Sequence, residues 1–474
     1  MSKIHSMMDI GKRSMMNSQT ALQTSGHNIA NKSTEGFSRQ RVEIQTNVPV
    51  GSGKLRYGMG SKSAAVTRIN NPYLERQIGN ERSLGGFHDG KAEAMARVEQ
   101  VYNEQQNKGL NQFVADFFSS IQELANNPES LATRTQVRET ADFLTKDFKR
   151  VHSQLTEITR DLDQQIKSQL DEVNGMTKEI ANLNEKIQQV ELSGGNANDE
   201  RDRRELLLKQ VGERINIRWA EGADTSVTVT AGNSALLVAG YDSKTLIAKP
   251  TSETATKGEG NVDIFYLSKP DAEPYKVTEQ ITGGKIGGAL EVRDKVVTEL
   301  LGDVDKLAYG FAANLNEVHR SGFNAYNQTG QNFFELPTQL RHASANLSVS
   351  KNILDDVGRI STGAGPASPG DSRTAVKMAR LQQDKTMNGE NTFDEFYNSV
   401  VGKVGIQARR AETASATQRD IVKQMSNIRE SISGVSLDEE ATKLIEYQKS
   451  FDASARLIRT ADEMFDTILN LKRM

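Results

Sequence analysis

The sequence predicts a mainly α, elongated multi-domain rod with a smaller inserted β domain. Three observations lead there. Apolar residues recur at three- and four-residue steps along most of the chain. Both ends carry such seams, which predicts a pair of terminal coiled-coil helices. The helical period gives way to strand-like alternation in only two places, after residue 40 and across 214–282. Helix outside and β structure inside imply a chain that runs out along a rod and returns. Each domain except the innermost insertion is then built from two distant segments.

The elements follow in order. Residues 1–72 form the first half of a terminal domain, a helix followed by a hairpin or loop. Ile4, Met8, Gly11, Met15, Ser18, Leu22, Ser25 and Ile29 make its seam, with residues too small or flexible to hold a helix alone. Asn28 and Asn31 suit a helix C-cap and a turn, and Asn31, Ser33 and Gly36 carry turn chemistry. Arg41–Thr46 alternates as a strand does, and Gly51, Gly53, Gly58 and Gly60 suggest a hairpin-like loop.

Residues 73–212 read as the first segment of a long-helix bundle domain. Its longest run, 151–192, has apolar residues from Val151 to Val190 at a mean step of about 3.5, the coiled-coil value. That helix would span about 60 Å. Residues 213–283 are the inserted β domain, with strands at Ile215–Trp219, Val227–Thr230 and Val262–Leu267. Residues 284–434 return to helix, with an irregular loop at 335–370. Residues 435–474 complete the terminal domain with a helix whose seam is Leu437, Ala441, Leu444, Tyr447, Phe451, Ala455, Ile458, Ala461, Phe465 and Ile468. A bundle core would also produce seams of this kind. Gly11, Ser18 and Ser25 instead favour the close packing of an assembly.

Composition narrows the function. The chain has 474 residues, which at roughly 100–200 per domain predicts two to four domains. Apolar residues are 36% of the total, low for a compact enzyme and consistent with thin helical layers. Charged residues are 26% but nearly balance at −3, so nucleic acid and anionic membranes are not expected partners. With no cysteine, disulfides and Cys-based metal sites are excluded. No stretch approaches the roughly 20 apolar residues of a membrane span, and the N-terminus shows no signal-peptide pattern. A cytoplasmic protein is the plain expectation; export without a cleaved signal is the alternative.

Enzyme patterns are missing. There is no His-Glu-x-x-His, Walker-type or Gly-x-Ser-x-Gly motif. The six His are scattered, without metal-ligand spacing. Neither catalysis, cofactor nor metal is expected.

Two motifs at opposite ends carry a resemblance. Ala21-Leu-Gln-Thr-Ser-Gly-His-Asn-Ile-Ala-Asn31, Thr34-Glu-Gly-Phe37 and Ser38-Arg-Gln-Arg-Val42 resemble the N-terminal motif of flagellar rod, hook and hook-associated proteins. Ser436-Leu-Asp-Glu-Glu-Ala441, Leu444-Ile-Glu-Tyr-Gln448 and Phe451-Asp-Ala-Ser-Ala455 resemble their C-terminal motif. Interior segments narrow this to the FlgK family of hook-associated proteins: Asn198–Arg203, Gly283–Leu290 leading into Arg293-Asp294, and Asn316–Phe323 with Thr329–Phe334. Glu35 and Phe37 depart from the family's usual Pro and Tyr.

The resemblance implies a structural subunit of the hook–filament junction. Its inner-tube domain would self-assemble through Ile4, Met8, Met15, Leu22, Asn28, Ile29, Asn31 and Gly36 at one end, and Leu437, Ala441, Leu444, Tyr447, Phe451, Ala455, Ile458 and Phe465 at the other. The implied partners are further copies in a ring, the hook protein, the second junction protein and an export chaperone on the C-terminal helix. Type III export and an extracellular place on the flagellum follow as expectations, with no membrane insertion. The chain is short for the family, so a large outer domain between Phe334 and residue 372 is expected to be missing. The remaining alternatives are another rod or hook subunit, or a secreted coiled-coil effector.

Overall fold

A computed structural model describes residues 2–52, 55–103, 108–250, 261–269, 271–336, 338–368, 370–387 and 389–471. Gly53 of the glycine loop, and 251–260 of the β domain, lie outside them. The chain opens with helix α1 (Ser2–Ala30) and an antiparallel hairpin, β1 (Gln40–Thr46) with β4 (Ser61–Arg68). The short ladder β2 (Val50–Ser52) and β3 (Leu55–Tyr57) caps it. Helices α2 (Pro72–Val101), α3 (Leu110–Asn126), α4 (Leu131–Leu192) and α5 (Asn198–Arg214) follow.

Two antiparallel sheets come next. One runs in sequence order through β5 (Ile217–Glu221), β6 (Val227–Ala231), β7 (Ala235–Ala239) and β8 (Asp242–Ser243). The other holds β9 (Thr245–Pro250), β10 (Val262–Leu267) and β11 (Tyr275–Lys276), with β10 central. Helix α6 (Gly284–Glu291) passes through a π-helical turn, Val292–Val297, into α7 (Thr298–Ser321). The irregular stretch holds a two-residue ladder, β12 (Phe334–Glu335) with β13 (Ser348–Val349), and two short helices, α8 (Ala343–Asn346) and α9 (Lys351–Asp355). Helices α10 (Arg373–Arg380), α11 (Phe393–Ser433) and α12 (Leu437–Leu471) complete the chain.

The mainly α rod with an inserted β domain is as the sequence predicts. The long helix is longer than its coiled-coil seam suggests. Its 62 residues start at Leu131, where Ser130 caps the first turn by accepting from the Thr133 N–H, and they reach about 93 Å. Helix α4 holds the β domain with amide side chains that imitate a neighbouring strand. Asn184 donates to the carbonyls of Val227 at 2.9 Å and Gly240 at 2.7 Å, and accepts from the Val227 N–H at 3.0 Å. Asn174 makes the same reciprocal pair with Leu246. At the outer end of the rod, Phe117, Phe118, Phe311, Phe333, Phe334 and Phe393 form one buried aromatic core.

Helix α2 is the spine near the termini and packs on α11, α5 and α6. It approaches its neighbours at backbone contact. A Cβ on Gly288 would lie 2.2 Å from the Phe87 carbonyl oxygen, and one on Gly90 would lie 2.4 Å from that of Lys285. Gly288→Ala should therefore lower the urea unfolding midpoint by an amount equivalent to about 1–3 kcal/mol, as overpacking does. Gly302→Ala, with nothing within 4 Å of its built Cβ, should leave the midpoint unchanged or raise it.

Candidate assembly module at the paired termini

Helices α1 and α12 lie antiparallel, and the contact between them is made of small side chains. Gly11, Ser18, Ala21 and Ser25 on α1 are buried, as are Ser454 and Ala461 on α12. The Ser454 hydroxyl donates to that of Ser14 at 2.7 Å, and the Ser18 hydroxyl to that of Ser450 at 3.1 Å. A Cβ on Gly11 would stand 2.7 Å from Cγ1 of Ile458, so only glycine admits this approach. The large residues of the expected seam flank this strip. Ile4, Met8, Met15, Leu22 and Ile29 are half-buried, as are Leu444, Tyr447, Phe451, Ala455, Ile458 and Phe465. Leu437 and Ala441 are exposed, and Glu440 takes the buried position beside them.

Heptad reading finds the apolar and small residues of a seam, and turn chemistry points to Asn28. Asn17 and Glu440 carry no such signal in the sequence. Asn17 pins α1 to the hairpin, donating to the Ser61 carbonyl at 3.1 Å and accepting from the Ser63 N–H at 2.8 Å. Asn28 is 1% exposed and forms a reciprocal pair with the backbone of Gln40, 2.9 Å each way, while donating to Glu440 at 3.2 Å. Asn31 closes α1, its side-chain amide and its N–H both donating to the His27 carbonyl at 3.1 Å.

Loop 31–39 joins this module to the rod. Gly36 has φ of +84°, and a Cβ there would lie 3.1 Å from Cβ of Leu206 on α5, so both conformation and space call for glycine. The Phe37 ring meets the His27 ring edge-on at 5.4 Å, and Glu35 stands exposed with Arg82 at 3.9 Å. A tyrosine hydroxyl and a proline ring are thus absent from a turn that other contacts already fix.

Charged side chains lock the loop in place. The Arg429 guanidinium donates to the carbonyls of Gly36 and Phe37, both at 3.0 Å, and pairs with Glu75 at 3.0 Å. Lys209 also pairs with Glu75. Burial alone would push the Glu75 carboxyl up, but the charges of Lys209 and Arg429 outweigh it and hold Glu75 below its ordinary value. Asp202 accepts the Ser38 N–H at 2.7 Å and pairs with Arg68 at 2.8 Å; burial pushes its carboxyl up against those partners. Arg39 pairs with Glu439 at 2.8 Å and Glu440 at 2.7 Å on α12. Among the described residues no cluster of three or more His, Cys, Asp or Glu could hold a metal ion, and no helix is long and apolar enough to cross a membrane.

The paired termini, the polar joint and the helical rod define an elongated, mainly helical structural subunit, and comparison with known proteins places it among flagellar proteins. Residues 429–471 match the family model described as flagellar basal body rod FlgEFG protein C-terminal. Residues 95–334, half of the chain, match that of the flagellar hook-associated protein FlgK helical domain. The chain belongs to this family of flagellar hook-associated proteins, structural components of the hook–filament junction. It is 27% identical to flagellar hook-associated protein 1 of Bacillus subtilis strain 168, over 98% of this chain and 97% of that one. It is 23% identical to the protein of the same name from Escherichia coli K12, over 96% and 97%. The solved structure of the flagellar hook junction protein FlgK from Burkholderia pseudomallei shares the fold, with a TM-score of 0.67, 14% identity, and coverage of 75% of this chain and 100% of that one.

Arg429→Met should leave Glu75 and two loop carbonyls short of a donor, at a cost of about 3–5 kcal/mol. Hydrogen exchange should rise at 31–40 while the middle of α4 stays protected; equal protection in both proteins would sink this account of the joint. The pH dependence has a definite sign. Because the folded-state pKa of Glu75 lies below its ordinary 4.5, its stabilisation is present above that value and is lost as pH falls through the folded pKa. The gap in unfolding midpoint between the native protein and Glu75→Gln should therefore narrow as pH drops from 7 to below 4.

Proposed function

We propose that the chain works by geometry rather than catalysis, as copies laid side by side at the end of the hook to form a ring on which the next axial protein is seated. The observation that carries this is the distribution of apolar residues on the terminal helices. The α1–α12 pair buries small side chains between its members and leaves Met16, Ile445, Leu457, Met464, Ile468 and Leu469 exposed, each by 37–57%. Two helices cannot cover these residues by themselves; helices from neighbouring copies can. The resemblance supplies the identity of the neighbours: the hook protein below and the second junction protein above. The same face of α12 would be covered before export by a chaperone that takes the helix into an apolar groove, and the exported chain would come to lie on the outside of the cell.

The proposed interface residues are those of the expected seams. Ile4, Met8, Met15, Leu22 and Ile29 on α1, with Leu437, Ala441, Leu444, Tyr447, Phe451, Ala455, Ile458 and Phe465 on α12, supply the apolar contacts. Asn28, Asn31 and Gly36 hold the turn that presents them. The inner-tube domain is proposed to comprise residues 1–72 and 435–474, with the helical domain at 73–212 and 284–434 and the β domain at 213–283.

A deletion strain should keep its hooks and release filament subunits into the medium. If it builds attached filaments and swims, the junction role is wrong. Phe451→Asp combined with Ile458→Asp should reproduce the deletion, because a charge on either residue cannot be buried in a helical tube wall.

A further inference from the structure

The inserted β domain leaves one strand edge open. Strand β5 ends its sheet, with β6 as its partner. The Asn216 carbonyl accepts from the Gly232 N–H at 3.0 Å, and the Gly222 N–H donates to the Ser226 carbonyl at 2.8 Å. Main-chain groups of alternate residues in an antiparallel strand point to opposite sides, so positions 216, 218, 220 and 222 face β6. The main-chain groups of Ile217, Trp219 and Glu221 point away from it and take no hydrogen-bond partner among the described residues.

Helix α4 closes other open ends of the same domain. Asn184 bonds the main chain of Val227 and Gly240, and Asn174 bonds that of Leu246, each in place of a missing strand. Among the described residues no side chain does this for β5. The strand also lacks the proline or bulge that commonly blocks an edge. Beside it lies a groove of about 520 Å³, lined by Ile217 and Trp219 from β5, Leu208 from α5, and Phe87 and Leu84 from α2, the last 46% exposed. No lining residue comes from β6, so the groove lies on the open side. Its charges select nothing by themselves. Glu75 and Glu205 are tied to Lys209, Arg429 and Arg68 within the joint, and Arg76 and Arg218 stand exposed. What remains is unpaired main chain beside apolar side chains. A helix seated there would leave the β5 groups unpaired, because its own main chain is already bonded. An extended chain would pair with them.

We propose that β5 and this groove receive an extended, apolar segment of another axial protein, which joins the sheet as a further strand. Its main chain pairs with Ile217, Trp219 and Glu221, and one of its apolar side chains covers Leu84 and Trp219. Residues 48–57 of a second copy fit less well, since their charges are Lys54 and Arg56 without an acid, and Arg76 and Arg218 already border the groove. The choice of an axial partner rests on the junction reading above; the strand addition rests on β5.

Trp219 is the single tryptophan, so its emission reports filling of the groove. Overlapping short peptides spanning the flagellar axial proteins, this chain included, would be titrated against the full-length monomer. A peptide from another axial protein should shift the emission and saturate. N-methylation at every second residue of that peptide should weaken binding by on the order of tenfold, and at the intervening residues far less, because only alternate N–H groups meet β5. Ile217→Pro removes an outward N–H and no ladder bond, and Ile217→Ala removes the same side chain but keeps that N–H. The proline variant should bind on the order of tenfold more weakly than the alanine variant. No binding by any peptide, a loss without the alternating pattern, or equal binding by the two Ile217 variants would overturn strand addition. Should the proline variant not fold, the methylation pattern on the native chain decides. Tightest binding by a peptide of this chain would overturn the choice of partner. A deletion strain that still swims would instead defeat the junction reading.

Discussion

The structure depends on one buried carboxylate. Glu75 sits at the first turn of α2, 4% exposed, and takes both Lys209 from α5 and Arg429 from α11. Three helices distant in sequence are thereby tied at a single point. The guanidinium of Arg429 has donors to spare, and it spends them on the carbonyls of Gly36 and Phe37. Those carbonyls lie in a turn with no strand or helix to satisfy them, and a buried carbonyl without a donor is costly. A buried ion pair is weak evidence for net stability, because desolvation offsets most of its attraction. Its effect here is positional. An apolar knot of equal volume would hold the helices together without fixing where the loop, and so the terminal module, must lie.

The terminal module applies the opposite design. Its internal contact is small and weakly polar, with hydroxyl pairs at Ser14–Ser454 and Ser18–Ser450 and a glycine against Ile458. Small residues bring helices close but bury little apolar area, so α1 and α12 gain modestly from each other. Large apolar side chains left outside gain only when further helices arrive. A module of this kind costs little to separate and is stabilised most when further helices cover its apolar side chains.

How legible this was differs by element. The seams of α4 and α12 could be read because long helices repeat their period many times, which outweighs local exceptions. The strand β4 could not: Ser61-Lys-Ser-Ala-Ala-Val-Thr-Arg68 has few β-formers, and it is held by pairing with β1 and by Asn17 from α1. Strand β7, Ala235–Ala239, is a short apolar run whose period does not separate strand from helix. Asn28 and Asn31 could be read as turn-makers, but the partner of Asn28 on α12 lies 412 positions away, at Glu440. The joint stayed hidden for the same reason. Glu75, Asp202, Lys209 and Arg429 look like ordinary solvated helix charges until the fold brings them together.

The way the two linkers are held decides how freely the terminal module can turn on the rod. The chain crosses between them at Ile69–Asn71 and again at Gly434–Ser436, and free linkers of that length would act as a hinge. They are not free. The Arg39 N–H donates to the Ser433 carbonyl at 2.9 Å, and the Arg39 carbonyl accepts from the Ile69 N–H at 2.7 Å. One residue of the loop thus bridges both crossings through its main chain, while its side chain reaches α12 through Glu439 and Glu440. Bending at the joint would break backbone hydrogen bonds and expose the ion pairs around Glu75 together. Moving the terminal module against the base of the rod therefore requires main-chain hydrogen bonds and buried ion pairs to be given up together, a cost that a free linker of three residues would not carry.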